Sequence, residues 1–191
     1  MSSHGSNVLA NRKIAILATN GFEQSELENP LNTLKDAGAV VYVVAPDGDT
    51  IQGMKHDKKG DSFKVDIKLE SADPHDFDAL ILPGGVANPD TLRTNKKALS
   101  FIQSFSTTDK CIAAICHGPQ LLINAEVIKG RKMTSVEAIR KDLENAGAQW
   151  EDKEVIVDGN LITSRVPKDL DAFNHAITEM LRKGEHTRKA A

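Results

Sequence analysis

The chain has 191 residues, a length that is enough for one hydrophobic core but not for two, and its formal net charge is −3. Its slightly acidic balance, with no basic stretch interleaved with aromatic residues, argues against nucleic acid as a partner, and its apolar runs are too short to cross a bilayer. Two cysteines and no apolar leader favour a cytoplasmic, reducing setting.

Strand and helix patterns alternate along the chain. The first half predicts a strand at 13–18, a helix at 25–37, a strand at 40–45, a polar hairpin-like region at 50–70 with a short strand at 63–67, and a strand at 78–82. The second half predicts a helix at 96–107, a strand at 111–116, helices at 120–125 and 138–146, a hairpin of strands 155–157 and 161–163, and a helix from Pro167 to about 183. We expect a single domain at 13–183, a flexible N-terminal extension at 1–12 and a polar tail at 184–191.

Strands without polar alternation that are separated by helices indicate a parallel sheet covered on both faces. The predicted fold class is therefore α/β, a doubly wound three-layer sandwich with one antiparallel hairpin attached. Ligands of such sheets bind at the carboxyl ends of the strands. Three polar or glycine-containing loops follow predicted strands there, at 19–23, 83–85 and 116–118.

The loop at Cys116 carries the strongest chemical signal. A small apolar run delivers this cysteine to a turn formed by His117, Gly118 and Pro119, and a helical pattern follows at once. An elbow of this kind exposes the side chain near the N–H groups of a helix start, which favours a thiolate, as in the nucleophile turn of serine hydrolases. A lone cysteine is often only a core residue, but a core residue does not need this turn after it. His117 is then a base, an orienting group, a donor of its backbone N–H, or an exposed turn residue.

Two acids and two glycines are candidates to assist the sulfur. Glu23 and Glu26 lie in the first turn of the first helix, where they either complement the helix dipole or place a carboxyl beside the thiol. In the second case burial would raise the carboxyl pKa and suit it to proton transfer. Gly84 and Gly85 either serve a turn or let backbone N–H groups approach an oxyanion, together with the N–H of His117.

Other site types find little support in the sequence. The remaining histidines are scattered, so no metal is expected, and no phosphate-binding glycine loop or Gly-x-Ser-x-Gly motif is present, so no cofactor is expected. Cys111 lies five residues before Cys116 on the same predicted strand, which directs the two side chains to opposite faces. We interpret Cys111 as a buried small hydrophobe.

The chain also resembles a known family, the DJ-1/PfpI superfamily, and within it the PfpI-like (protease I) branch. The matching segments span roughly 13–182 in order, and they are Ala18–Glu26 (ATNGFEQSE), Asp78–Gly85 (DALILPGG), Ala114–Gln120 (AICHGPQ), Gly130–Ser135 (GRKMTS) and Val157–Pro167 (VDGNLITSRVP). Collinear motifs over nearly the whole chain are far more specific than any one of them. The resemblance implies a flavodoxin-like sandwich. It extends to class I glutamine amidotransferases, but their downstream His–Glu pair is missing because Ala176 and Ile177 follow His175.

The resemblance implies roles for five residues. Cys116 matches the reactive cysteine of the family, Glu26 the glutamate that hydrogen-bonds its sulfur, and Glu23 a second acid in the pocket. His117 matches the histidine of the PfpI-like branch, which a carboxylate of a neighbouring subunit completes into a triad. Asp90 looks equivalent to that carboxylate, although its loop is one residue longer than in some relatives and its side chain is one methylene shorter than the family's glutamate. A shared triad implies a homo-oligomer.

Three functions compete on these residues. The first is a cysteine-dependent hydrolase that acts on small aldehydes or glycated proteins, of the glyoxalase III or protein deglycase type, in stress protection. The second is an intracellular cysteine peptidase, in which Cys116, His117 and Asp90 would form the triad and peptides would be substrates. The third is a redox sensor or chaperone without turnover, which uses an oxidisable Cys116.

Overall fold

The computed structural model describes residues 7–189, with side chains described as far as Gly184. The strands in this range are β1 (Lys13–Leu17), β2 (Phe22–Glu23), β3 (Val40–Ala45), β4 (Thr50–Lys55), β5 (Lys58–Lys64), β6 (Ile67–Lys68), β7 (Ala79–Leu82), β8 (Cys111–Ile115), β9 (Lys132–Met133), β10 (Gln149–Trp150), β11 (Val155–Asp158) and β12 (Leu161–Ser164). The α-helices are α1 (Gln24–Asp36), α2 (Ala87–Leu92), α3 (Lys96–Ser106), α4 (Gln120–Asn124), α5 (Arg140–Asn145) and α6 (Leu170–Lys189).

Seven strands form the central sheet in the order β11-β12-β8-β7-β1-β3-β6. All neighbours are parallel except β11 and β12, which form the predicted antiparallel hairpin. The central sheet is mostly parallel and helices flank it, so the predicted α/β sandwich is confirmed. Since β8, β7 and β1 are adjacent and parallel, their carboxyl ends bring the three predicted loops to one edge.

Helices cover both faces of the sheet, which explains the continuous apolar strands. Along β1, Ile14 and Ile16 belong to one core with α1 and α6, and Ala15 and Leu17 belong to the other with α3, α4 and α5. Every buried position of this strand, from Ile14 to Leu17, is therefore apolar. Among the described residues, no helix is both long and apolar enough to span a membrane.

The region 50–70 differs in detail from its prediction. Strands β4 and β5 form a hairpin that pairs with β2 in a separate three-stranded sheet, and β6 joins the central sheet. The strand predicted at 63–67 is thus divided between β5 and β6. Most of β5 is exposed to solvent, so it lacks the apolar alternation by which a strand is recognised. The short strands β2, β9 and β10 and the six-residue helix α2 were also missed.

The ends of the domain lie beyond the predicted boundaries. Leu9 is fully buried and its N–H donates to the carbonyl of Ala37 at 2.9 Å, and Arg12 donates from Nη2 to the carbonyl of Leu181 at 2.8 Å. Residues 7–12 therefore pack as part of the domain instead of forming a flexible extension, and residues 1–6 lie outside the described residues. The last helix, α6, continues to Lys189 in place of the predicted end near 183, and residues 190–191 of the predicted tail are likewise outside the described range.

Candidate active site

The elbow predicted at Cys116 is present. The cysteine follows β8 directly and has a φ of 61°, a left-handed conformation that costs a residue with a β-carbon on the order of 1 kcal/mol. Its backbone is held on both sides, because its N–H donates to Ser164 at 3.1 Å and its carbonyl accepts from the N–H of Val136 at 3.2 Å. Gly118 completes the turn, since a β-carbon there would overlap the carbonyl oxygen of Leu82. The fold thus holds a strained backbone that directs this side chain out of the strand.

Glu26 lies beside the sulfur and is fully buried. Its Oε2 accepts a hydrogen bond from the N–H of Gly84 at 2.7 Å, and its Oε1 is buried without a hydrogen-bond partner. The pKa of Glu26 is raised to about 8, mainly by burial and in smaller part by the nearby charge of Glu23, against the lowering effect of the hydrogen bond from Gly84. The carboxyl group is therefore neutral at pH 7 and can donate a proton. Complementation of the helix dipole does not account for Glu26, because that role suits an ionised, exposed acid.

The surroundings of Cys116 act on its pKa in both directions. Burial is the largest influence and raises the pKa of the thiol, and the Glu26 carboxyl raises it further. The backbone N–H groups of His117 and Gly85 face the sulfur and lower it. The balance is upward, which is the opposite of the lowered pKa predicted from the elbow, because burial outweighs the two amide groups. The resting sulfur therefore needs a base to take its proton when it reacts.

His117 is placed to be that base. Its Nδ1 lies 3.4 Å from Sγ of Cys116, within hydrogen-bonding distance for sulfur, and the ring is half-buried. Burial lowers the pKa of His117 below its usual value of 6.5, so the imidazole is neutral at pH 7. With the ring proton on Nε2, Nδ1 accepts the thiol proton. Of the roles that the sequence left open for this residue, the geometry favours the base.

The two glycines after β7 have different roles. The N–H of Gly84 is taken by Glu26 and does not face the sulfur, so of the backbone groups predicted to bind an oxyanion only those of Gly85 and His117 are suitably directed. A β-carbon on Gly84 would lie 2.8 Å from Cβ of Cys116. Gly85 has a φ of +74°, and a β-carbon there would overlap the carbonyl oxygen of Gly21. Glycine is thus needed at both positions, once for close approach and once also for conformation.

Glu23 and Asp90 lie further from the reacting atoms. Glu23 ends β2 and directly precedes α1, and its Oε2 accepts from the N–H of His56 at 3.0 Å, which ties the β4–β5 hairpin to the edge of the site. It lines a cavity of about 540 Å³ between this hairpin and α1. Asp90 is exposed on α2, and among the described residues of one chain no hydrogen bond joins it to His117. Its predicted part in a triad stays a prediction.

The second cysteine, metal-ligating groups and one buried amide complete the description of this edge of the sheet. Cys111 is buried, whereas Cys116 is only partly buried and has Nδ1 of His117 3.4 Å from its sulfur, so the geometry favours Cys116 as the reactive cysteine. Within residues 7–184, whose side chains are described, no cluster of His, Cys, Asp and Glu could hold a metal ion. Sequence reasoning missed one buried polar residue at this edge, Asn88 of α2, because nothing in the pattern predicted the helix on which it lies.

Comparisons with known proteins show the family to which the chain is related. The model of the DJ-1/PfpI family matches residues 12–180. The chain is 44% identical over 173 residues to protein/nucleic acid deglycase 2 of Escherichia coli (strain K12), which covers 89% of this chain and 98% of the relative. It is 41% identical over 172 residues to the putative cysteine protease YraA of Bacillus subtilis (strain 168), covering 90% of this chain and 99% of the relative. The crystal structure of Drosophila melanogaster DJ-1beta superposes with a TM-score of 0.81 at 28% identity, covering 93% of this chain and 94% of that one.

Proposed function

Since the chain belongs to the DJ-1/PfpI family, we propose that it is a cysteine-dependent hydrolase that acts on reactive carbonyls and on their early adducts with amines, as a deglycase does. The observation that carries this proposal is the trio of Cys116, Glu26 and His117. A partly buried thiol lies between an acid that is neutral at pH 7, because its pKa is about 8, and a neutral imidazole 3.4 Å away. Such a site can add a thiol to a carbonyl and move a proton on each side of the new bond.

The first step is addition. As Nδ1 of His117 takes the thiol proton, the sulfur of Cys116 bonds to the aldehyde carbon, and the C=O π bond opens to an oxyanion. The N–H groups of Gly85 and His117, which face the sulfur, are suited to bind that oxygen. Glu26 then donates its proton to the oxygen, which gives a neutral hemithioacetal. With a carbinolamine adduct in place of the free aldehyde, the sulfur displaces the amine, the C–N bond breaks, and the imidazolium returns its proton to the leaving amine.

The second step converts the hemithioacetal of methylglyoxal to lactate. The Glu26 carboxylate takes the proton from the former aldehyde carbon while the imidazolium of His117 protonates the neighbouring carbonyl oxygen, which gives an enediol. Glu26 then donates its proton to the neighbouring carbon as the hydroxyl on the first carbon returns a proton to His117. The first carbon is oxidised to a thioester while the second is reduced to an alcohol, so no external oxidant or reductant is needed. Water then cleaves the thioester, which releases lactate and restores the thiol of Cys116.

We propose proteins carrying early glycation adducts as the substrate class, with free aldehydes as the minimal substrates. The sequence argued against nucleic acid, but one relative is a protein/nucleic acid deglycase by name, so a glycated nucleotide belongs among the compounds to be assayed. We also propose that the protein acts as a homo-oligomer in the cytoplasm, where Asp90 of a neighbouring copy would hold Nε2–H of His117 and so leave Nδ1 free to accept.

A cysteine peptidase is the second candidate, and the contact between Cys116 and His117 supports it together with the name of the Bacillus relative. A peptide bond requires a general acid for its leaving amine, which an imidazolium at His117 would supply. A redox sensor is the third candidate. With Cys111 buried and its pKa raised to about 12, an oxidised Cys116 would have no resolving thiol within the described residues.

The decisive experiment compares three proteins in two assays. Lactate formation from methylglyoxal and cleavage of a fluorogenic peptide are measured for the wild type, Cys116→Ser and the matched control Cys111→Ser. We expect lactate from the wild type and from Cys111→Ser and none from Cys116→Ser. Carbonyl turnover that survives in Cys116→Ser would refute the proposal. Peptide cleavage that depends on Cys116, without lactate, would establish the peptidase, and silence in both assays with a peroxide-dependent mass gain at Cys116 would establish the sensor.

A further inference from the structure

Asn88 is a fully buried amide at the edge of the site that the chemistry above does not use. It is the second residue of α2, directly after the glycine loop that follows β7. Its Oδ1 accepts from the N–H of Thr19 at 2.8 Å, and its Nδ2 donates to the carbonyls of Pro83 at 3.1 Å and Gly84 at 3.0 Å. An N–H can only donate and a carbonyl can only accept, so these three partners fix which way round the amide lies. The side chain thus joins the loop after β1 to the loop after β7.

The two carbonyls that Asn88 holds belong to peptide groups whose opposite ends serve the site. The peptide between Pro83 and Gly84 carries the N–H that donates to Oε2 of Glu26 at 2.7 Å. The peptide between Gly84 and Gly85 carries the N–H that faces Cys116. A trans peptide is planar, with its carbonyl and N–H pointing in opposite directions, so fixing the one fixes the other.

These peptide groups need an external restraint. Glycine on both sides of the second peptide, with Gly85 at a φ of +74°, removes the steric barrier that normally keeps a peptide group from rotating. The packing around Gly84, whose β-carbon position lies 2.6 Å from Oε2 of Glu26 and 2.8 Å from Cβ of Cys116, excludes a larger residue that would restrict it. Hydrogen bonds from a side chain are therefore the remaining way to restrain these peptide groups. Donation to a carbonyl also makes the N–H at the other end of the same peptide a stronger hydrogen-bond donor.

We propose that Asn88 is a positioning residue that locks the peptide groups on either side of Gly84, so that their N–H groups stay directed at Glu26 and Cys116. It touches neither the substrate nor the reacting atoms and acts through the two amides alone. This inference rests on the proposed function for its effect on turnover, but its effect on the reactivity of the cysteine does not depend on any substrate.

The test uses Asn88→Ala and a matched control at the other end of β8. Asn160 is half-buried and, like Asn88, donates to two backbone carbonyls and accepts one hydrogen bond. Its Nδ2 donates to the carbonyls of Thr108 and Lys110, and its Oδ1 accepts from Nη2 of Arg131. Asn160→Ala therefore removes equivalent hydrogen bonds far from the elbow, and any general loss of stability affects both variants.

The readout is the rate at which iodoacetamide alkylates Cys116 between pH 6 and pH 10, followed by mass spectrometry. Because the N–H of Gly85 lowers the thiol pKa, we expect Asn88→Ala to slow alkylation below pH 8 by about tenfold, as loss of one hydrogen bond to the charged form implies. We expect Asn160→Ala to match the wild type. In turnover, loss of one oxyanion donor should lower kcat by about 10–100-fold with KM changed little. The alkaline limb should move to higher pH, because the N–H of Gly84 lowers the pKa of Glu26.

Asn88→Asp is the second variant, since it keeps the shape and the acceptor for Thr19 but loses the amide donors. Wild-type alkylation and pH dependence in either folded variant would overturn the inference. The inference would also be overturned if both Asn88 variants failed to fold while Asn160→Ala folded, because Asn88 would then be needed for folding and not for the geometry of the site. A wild type that is inactive in the lactate assay but shows the expected difference in alkylation refutes the proposed function and leaves the positioning role standing.

Discussion

Replacing Glu26 with glutamine should make the protein more stable at neutral pH and less active. The amide is isosteric with the protonated carboxyl, its oxygen can accept from the N–H of Gly84, and its nitrogen takes the place of the buried Oε1 that has no partner. The wild-type side chain is fully buried, so its ionisation is resisted in the folded state and free in the unfolded one. Glutamine cannot ionise and therefore lacks this penalty.

The size and sign follow from the pKa of Glu26, which is raised from 4.5 to about 8. Between these values the folded protein holds a proton that the unfolded chain has released, so the free energy of unfolding falls as pH rises, by about 1.4 kcal/mol per unit. The stability of the wild type should therefore drop by about 3–4 kcal/mol from pH 5 to pH 8 through this one group. Below the unfolded pKa both states are protonated, and the difference between wild type and variant becomes constant.

Urea unfolding followed by the fluorescence of Trp150, the single tryptophan, measures this at pH 5, 6, 7 and 8. The control is Glu70→Gln, which removes the same charge from an exposed position. We expect the gap between Glu26→Gln and the wild type to widen steadily with pH and the control to stay parallel to the wild type. Parallel curves for Glu26→Gln as well would show that Glu26 ionises normally in the folded protein, and the proposed donor role would fail with it.

Three further predictions follow from the same site. The pH dependence of kcat should be bell-shaped, with an alkaline limb near pH 8 where Glu26 ionises and an acid limb below pH 6.5 where His117 is protonated. In His117→Ala the acid limb should disappear. An acid limb that persists in this variant would exclude His117 as the base. Gly85→Ala should lower both activity and the free energy of unfolding in urea, the latter by roughly 1–3 kcal/mol, because its β-carbon would overlap the carbonyl of Gly21 at a φ of +74°. Gly130→Ala is the control, since Gly130 has a similar φ of +78° but no atom within 4 Å of its β-carbon position. Equal losses of stability in the two variants would contradict the argument. Asp90→Ala should lower kcat without changing the free energy of unfolding, since Asp90 is exposed, and unchanged kcat in the oligomer would remove it from the triad.

The strands and the elbow at Cys116 were predictable because each is determined by local sequence. A parallel strand covered on both faces must be apolar at every position, which is readable at 40–45, and an apolar strand that ends in Cys-His-Gly-Pro can only turn. The choice of Glu26 over Glu23 was not readable from spacing. It depends on which face of α1 packs against the sheet edge, and burial alone separates a dipole-complementing acid from one with a pKa of about 8.

Helix α2 and its Asn88 were missed for a physical reason. The segment Ala-Asn-Pro-Asp-Thr-Leu has turn-forming residues and no apolar period, and at six residues it is too short to be stable alone. Tertiary contacts form it, through buried Leu92 and the three hydrogen bonds of Asn88 to loops distant in sequence. A similar override places Leu9 in the core, because one apolar residue in a polar stretch carries no periodic signal.

One physical cause shifts the pKa values of both Glu26 and His117. Burial disfavours the charged form of each, so it raises the pKa of Glu26 and lowers that of His117, and at pH 7 an uncharged acid and an uncharged base flank the thiol of Cys116. A pocket of this kind can move a proton in either direction while its net charge stays constant, which avoids the cost of creating a lone charge in a low-dielectric environment. The reaction it suits is one whose substrate is uncharged at the reacting carbon and whose only transient charge is an oxyanion beside two N–H groups. An aldehyde or its carbinolamine meets these conditions. A substrate with a carboxylate next to the reacting carbon does not, because the burial that disfavours the charged form of Glu26 would also disfavour that carboxylate.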